Sequence, residues 1–344
     1  MKKTSVFRKL VQILFLALTV NSLFFGQAAA EKLNIVTTTT DLASIARHIA
    51  GEHAVVTSIC TGREDPHFIQ AKPSYIIMAR DADLWIRIGM DLEIGWEGPV
   101  LDGARKTSIR VGGPRHLDAS EKVLKLEIPS GKVGRHMGDV HPQGNPHYWL
   151  DPLNARIAAK SIADRLSKLE PTYAADFQRN LASFRDALDK RMFGEMPVNM
   201  FSGSRLWSLL LKDKLDRFLE DEGVGLKGWM GQMKPFRGQK IVAYHRSWIY
   251  FAHRFDLVII GEMEPKPGVP PSPSHLETII ELVKNDHVKA ILLEPYFSRK
   301  SAELVASKTD AKVVVCPISV GGAPQTADYL KLIDSIISQI IKVL

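Results

Sequence analysis

GDVHPQGNPHYWLDPLN, residues 138–154, is the stretch from which the architecture can be read. Asp151 followed by Pro152 reads as an N-cap with proline at the first helical position, where its missing N–H costs nothing. Just before that helix start lies an irregular segment holding His141, His147 and the aromatic pair Tyr148-Trp149. Strand and helix signals alternate before the stretch. Two helical runs follow it, and the alternation then resumes. The stretch marks a boundary between two halves, and a ligand site between two lobes needs such an element. His147 is the first candidate metal ligand.

Toward the N-terminus, Leu33 to Thr40 (LNIVTTTT) reads as a β-branched strand, with Asp41 capping a helix through Ile49. A second strand over 54–60 runs into the polar loop that carries Asp65-Pro66-His67. Pro73 starts another helix, and 84–88 is a third strand. Strands alternating with helices argue for a parallel α/β layer, whose ligands bind beyond the C-terminal ends of the strands. His67 lies on such a loop. Residues 112–146 show little periodicity, and their His116, His136 and His141 read mainly as members of a solvated loop.

Residues 1–30 read as a secretory leader: Lys2, Lys3, Arg8 and Lys9, then an apolar run, then Ala28-Ala29-Ala30 before a cleavage point at Glu31. No cysteine follows the apolar run, so no lipid-anchor acceptor is expected and the protein is expected free in the periplasm as a monomer. The chain has 45 basic and 38 acidic residues; with the four basic residues of the leader removed, the balance is +3. That is ordinary for a globular protein and gives no case for nucleic acid. The length exceeds what one core usually serves. Cys60 and Cys316 fall in different halves and are expected as two buried thiols.

Toward the C-terminus, apolar residues recur at helical spacing from Pro152 to Glu170. Pro171 restarts a helix with Tyr173, Phe177, Leu181, Phe184 and Leu188 along one stripe. Residues 194–238 are hard to read beyond two helical pieces. A strand over 240–244 then runs directly into His245, and further strands fall at 257–260, 289–294 and 312–316, with a closing helix from Tyr329. A proline-stiffened loop precedes a helix assigned to a Ser274 cap. His253, His275 and His287 read as packing or surface residues.

These words resemble the zinc/manganese ABC-transporter solute-binding proteins of the ZnuA/TroA type. The resemblance rests on Asp65-Pro66-His67 with Pro73-Ser74, on Asn145-Pro146-His147-Tyr148-Trp149-Leu150-Asp151-Pro152, and on Tyr244-His245 with Trp248 and Tyr250-Phe251. Glu264-Pro265-Lys266-Pro267-Gly268 and Glu294-Pro295-Tyr296-Phe297 add to it. It implies an α/β fold of two lobes, 31–170 and 194–344, each a mainly parallel sheet flanked by helices, joined by a long rigid helix over 171–193. It also implies one metal ion in the cleft and delivery to a membrane permease.

The family's three histidine ligands fall on His67, His147 and His245. Many members place an aspartate four residues beyond a strand-ending glutamate, here Glu294, but that position is Ser298 in this chain. Glu294, a water or His141 then remain for the fourth place, with Glu294 the assignment taken here. Imidazoles suit Zn(II), whereas Mn(II) prefers carboxylate and water oxygens. A zinc hydrolase is the competing class, since three histidines and an open position also describe catalytic zinc. No HExxH-type base motif occurs, and ligands spread over two halves favour capture over catalysis.

Overall fold

The computed structural model describes residues 32–131, 134, 140–266 and 268–344. The expected leader and His136 lie outside the described residues. Two four-stranded sheets, every strand pairing parallel, organise the chain. The first holds β1 (Leu33–Thr37), β2 (Ala54–Ser58), β3 (Leu84–Arg87) and β4 (His116–Asp118), in the order β2-β1-β3-β4. The second holds β5 (Lys240–Ala243), β6 (Val258–Glu262), β7 (Ala290–Leu293) and β8 (Lys312–Val315), in the same relative order, β6-β5-β7-β8. The expected α/β architecture of two parallel sheets flanked by helices is what the chain adopts.

Helices cover both faces, as parallel sheets require. Around the first sheet lie α1 (Thr40–Ala50), α2 (Pro73–Asp81) and α3 (Glu97–Ala104). Between the sheets run α4 (Pro152–Leu169) and, after a 3-10 turn at Pro171–Tyr173, α5 (Ala174–Phe193). The twenty residues of α5 span roughly 30 Å at 1.5 Å per residue. Four short helices follow: α6 (Glu195–Phe201), α7 (Gly203–Leu210) and α9 (Gly228–Met233) pack on α5, and α8 (Leu215–Asp221) packs on α7. The second sheet carries α10 (Ile249–Phe255), α11 (Pro273–Asn285) and α12 (Arg299–Ser307), and α13 (Tyr329–Ile340) closes the chain. Among the described residues no helix is long and apolar enough to cross a membrane.

The period-two alternation of the strands decides how the halves join. Val36 and Trp85 point outward into a small core with Ala79, Val100 and Leu101. Val242, Ile291 and Leu293 do the same against Leu276, Ile280 and Val305. The opposite faces, Ile35, Leu84 and Ile86 in one sheet and Ile241, Ala243, Ala290 and Leu292 in the other, belong to a single core. Ile162, Leu166, Phe177, Leu188, Ile333 and Ile337 of α4, α5 and α13 fill it between them. The closing helix returns to the first half, where Tyr329 N donates to Ser44 Oγ at 2.9 Å.

Several local expectations shift. Asp151 caps α4 as read, accepting from Leu153 N at 2.9 Å. The cap of α1 is Thr39 rather than Asp41, because Asp41 is buried in the first turn with Oδ1 accepting from Val320 N at 2.9 Å. The cap of α11 is Ser272 rather than Ser274. His116 is not on a solvated loop: it is buried in β4, whose three residues are too few to show a period. Cys60 and Cys316 are both buried and unpaired.

Candidate metal centre

His67 sits in a 3-10 turn, Pro66–Phe68, beyond β2. Asp65 Oδ1 accepts both its backbone N–H at 3.0 Å and its ring Nδ1–H at 2.7 Å. Trp96 Nε1 donates to Pro66 O at 3.0 Å and pins the turn to the first half. His147 is held the same way, with Asn145 Oδ1 accepting from its N–H at 3.0 Å and its Nδ1 at 2.9 Å. Both histidines follow the same three-residue pattern: a side-chain acceptor, a proline that fixes φ, then the histidine.

The residues after His147 lock that loop in place. Tyr148 Oη donates to Ile88 O at 3.1 Å, and Trp149 Nε1 donates to Ile318 O at 2.7 Å. His245 lies two residues past the end of β5 and is buried. Its Nδ1 meets Glu264 Oε2 at 2.7 Å, and that oxygen also accepts from Gly268 N at 2.9 Å. So all three imidazoles have Nδ1 engaged by an oxygen acceptor. An acceptor on Nδ1 favours the tautomer whose lone pair is on Nε2.

The ligand nitrogens of His67, His147 and His245 all lie within 4.8 Å of one another. Nitrogens bonded to one tetrahedral zinc at about 2.05 Å sit roughly 3.4 Å apart, a spacing that lies inside that bound. His147 Nε2 is buried with no hydrogen-bond partner. Burial, and then the neighbouring His67 and His245, hold the His147 ring well below the usual imidazole range, so its lone pair stays unprotonated. Burial would also lower His245, but the hydrogen bond its Nδ1–H donates to Glu264 and the charge of Glu294 outweigh it and raise the ring.

His141 and Glu294 stand outside that mutual group of three. His141 Nε2 lies 3.3 Å from His67 Nε2, and burial pushes its ring down to about 3. Glu294, just past the end of β7, is fully buried and neither carboxylate oxygen has a hydrogen-bond partner. Burial raises its carboxyl to about 7, against the lowering effect of His245. Ser298 is exposed and caps α12 by accepting from Lys300 N at 3.4 Å. A cavity of about 320 Å³ lined by His141, His147, His245, Glu127 and Arg246 adjoins the cluster.

His253 and His287 are exposed, and His275 Nε2 lies 2.9 Å from Glu262 O, away from the three. The sequence reading gave no role to Asp65, Asn145 or Glu264. The repeated acceptor-Pro-His pattern could have found the first two; Glu264 reaches His245 across nineteen residues and left no local signal.

Comparison with known proteins points the same way. A family model described as ZnuA, zinc-uptake complex component A periplasmic, matches residues 35–192 and 226–343. The stretch it skips contains α6, α7 and α8. The manganese ABC transporter substrate-binding lipoprotein PsaA of Streptococcus mitis is 24% identical over 83% of this chain and 80% of its own length. The iron-binding protein YfeA of Yersinia pestis is 23% identical over 91% of this chain and 86% of its own. A crystal structure of ZnuA superposes with a TM-score of 0.67 at 22% identity, covering 91% of this chain and 99% of that one, a likeness of fold.

Proposed function

The chain belongs to the ZnuA family of metal-binding components of ABC transporters, which are not enzymes, and from that premise we propose that its cargo is Zn(II). His67, His147 and His245 bind the ion through Nε2 between the two sheets, and Glu294 supplies the fourth bond. The protein carries the ion through the periplasm as a monomer and hands it to a membrane permease.

The observation that carries this reading is the set of three engaged Nδ1 atoms. Three imidazoles held this way, with ligand atoms within 4.8 Å of one another, make a nitrogen-rich donor set that suits zinc better than manganese. Glu294 fits the fourth place because a buried carboxylate without partners is costly, and a dication beside it removes that cost. Ser298 is engaged in capping a helix and is exposed. The relatives named for manganese and iron make the metal the point to test.

Metal analysis of the protein isolated from its own periplasm, paired with anomalous scattering from metal-soaked crystals, tests it. Zinc bound at about one ion per chain on the three histidines is expected. Manganese or iron in its place, or an ion elsewhere, overturns the zinc assignment.

A further inference from the structure

Glu127 stands on the rim of the cavity with a left-handed backbone, φ 54°. A non-glycine residue keeps that conformation only where its surroundings hold it, and such positions cluster at functional sites. Its side chain shows what holds it. Oε1 accepts from Arg246 Nη2 at 2.7 Å, and Oε2 accepts from Asn145 Nδ2 at 2.9 Å. Arg246 is the neighbour of His245, in the other half of the chain, and also meets Glu262 Oε1 at 3.4 Å.

Asn145 is buried and its amide is fully used. Nδ2 donates to Glu127 and, at 2.7 Å, to the Arg246 carbonyl. Oδ1 accepts from the N–H and ring Nδ1 of His147. Two bonds therefore face His147, and two lead away to groups that meet across the halves. Tyr250 closes the same junction: its hydroxyl accepts from Leu126 N at 2.9 Å and donates to Asn145 O at 2.8 Å.

We propose that Glu127 is a positioning residue for the metal site. By holding the donor end of the Asn145 amide it fixes the acceptor end on His147 Nδ1, so that His147 Nε2 faces the ion. Through Arg246 it makes that orientation depend on contact between the halves. The inference rests on the metal-binding reading above and adds to it a residue that touches no metal.

The test is a cycle of four proteins: wild type, Glu127→Ala, Asn145→Asp and the double variant. Each is titrated with zinc and, metal-free, examined by the 15N imidazole resonances of His147. Removing Glu127 from the wild type strands a buried amide proton, and about a tenfold loss of zinc affinity is expected, the scale seen for groups that orient ligands. In the Asn145→Asp background no donor end remains for Glu127 to hold and two carboxylates face each other, so Glu127→Ala leaves affinity unchanged or raises it. Equal losses on both backgrounds would mean that Glu127 only braces the fold through Arg246, and would overturn the proposal. The wild-type spectrum should show His147 protonated at Nδ1, and Glu127→Ala should mix in the other tautomer; an unchanged tautomer also overturns it. Glu127→Met, which keeps the bulk but offers no acceptor, repeats the comparison if alanine loosens the fold. A wild type that binds no zinc refutes the metal reading, while the tautomer measurement still decides the role of Glu127.

Discussion

Arg254 and Asp151 meet in a double hydrogen bond, Nε to Oδ1 and Nη2 to Oδ2, both 2.7 Å, with the two side chains 5% and 2% exposed. Asp151 starts α4 four residues after His147, and Arg254 lies on α10 behind His245, so the pair ties the supports of two candidate ligands. The Trp207 ring, from the stretch outside the family match, lies 5.4 Å from the guanidinium. Removing one partner of such a pair leaves a buried charge uncompensated, so Arg254→Met should lose about 3–5 kcal/mol of stability. Urea unfolding measures it, and a loss below about 1 kcal/mol, the range of exposed pairs, would show that the pair is not buried as described.

The three histidines should behave alike and differ from the rest. His67→Ala, His147→Ala and His245→Ala each remove one bond to the ion and should weaken zinc binding at least about a hundredfold. His253→Ala and His275→Ala should leave it within about threefold. Calorimetric titration at fixed pH separates the two groups, since imidazoles shed protons on binding. A uniform response of all five would sink the ligand assignment.

At the fourth position, Glu294→Gln and Ser298→Asp give opposite expectations. The glutamine should weaken zinc binding about tenfold or more, because a neutral oxygen replaces an anionic one beside a dication. The aspartate should change little, since residue 298 is an exposed helix cap and aspartate caps as well as serine does. A gain from Ser298→Asp without a loss from Glu294→Gln would move the fourth bond to position 298.

Glu294 should also mark the stability of the metal-free protein. Burial raises its folded carboxyl to about 7 from an ordinary 4.5. Between those values the folded state keeps a proton that the unfolded state has released, so this group's contribution falls as pH rises through the window. Glu294→Gln lacks that decline. Its stability relative to wild type should climb from pH 4.5 to 7 and level off above, as read by denaturant unfolding across pH. A flat difference would mean that Glu294 is not desolvated.

Much of the candidate site was legible because its histidines sit where local chemistry speaks. Asp151-Pro152 announced a helix start, and His67, His147 and His245 each follow a strand or precede a cap. What escaped was either too short or too distant. The helices of residues 194–238 run six to eight residues, barely two turns, so no apolar period could develop. The strand of His116 has three residues. Glu264 on His245 and Glu127 on Asn145 are contacts between segments brought together only by folding, and no spacing in the chain encodes them.

The core that runs without a break from Ile35 in the first sheet, through Phe177, to Ile241 and Leu292 in the second has a mechanical meaning for the cargo. Two bodies welded through close-packed side chains cannot swing apart about a hinge without opening voids, which close-packed interiors resist. On the zinc reading, the ion meets histidine loops carried on a frame that does not itself part, so little of the binding free energy goes into moving the two sheets. The same stiffness acts against unloading. On the zinc reading, release then proceeds by exchange of the ion's bonds at the histidine loops rather than by a parting of the two sheets.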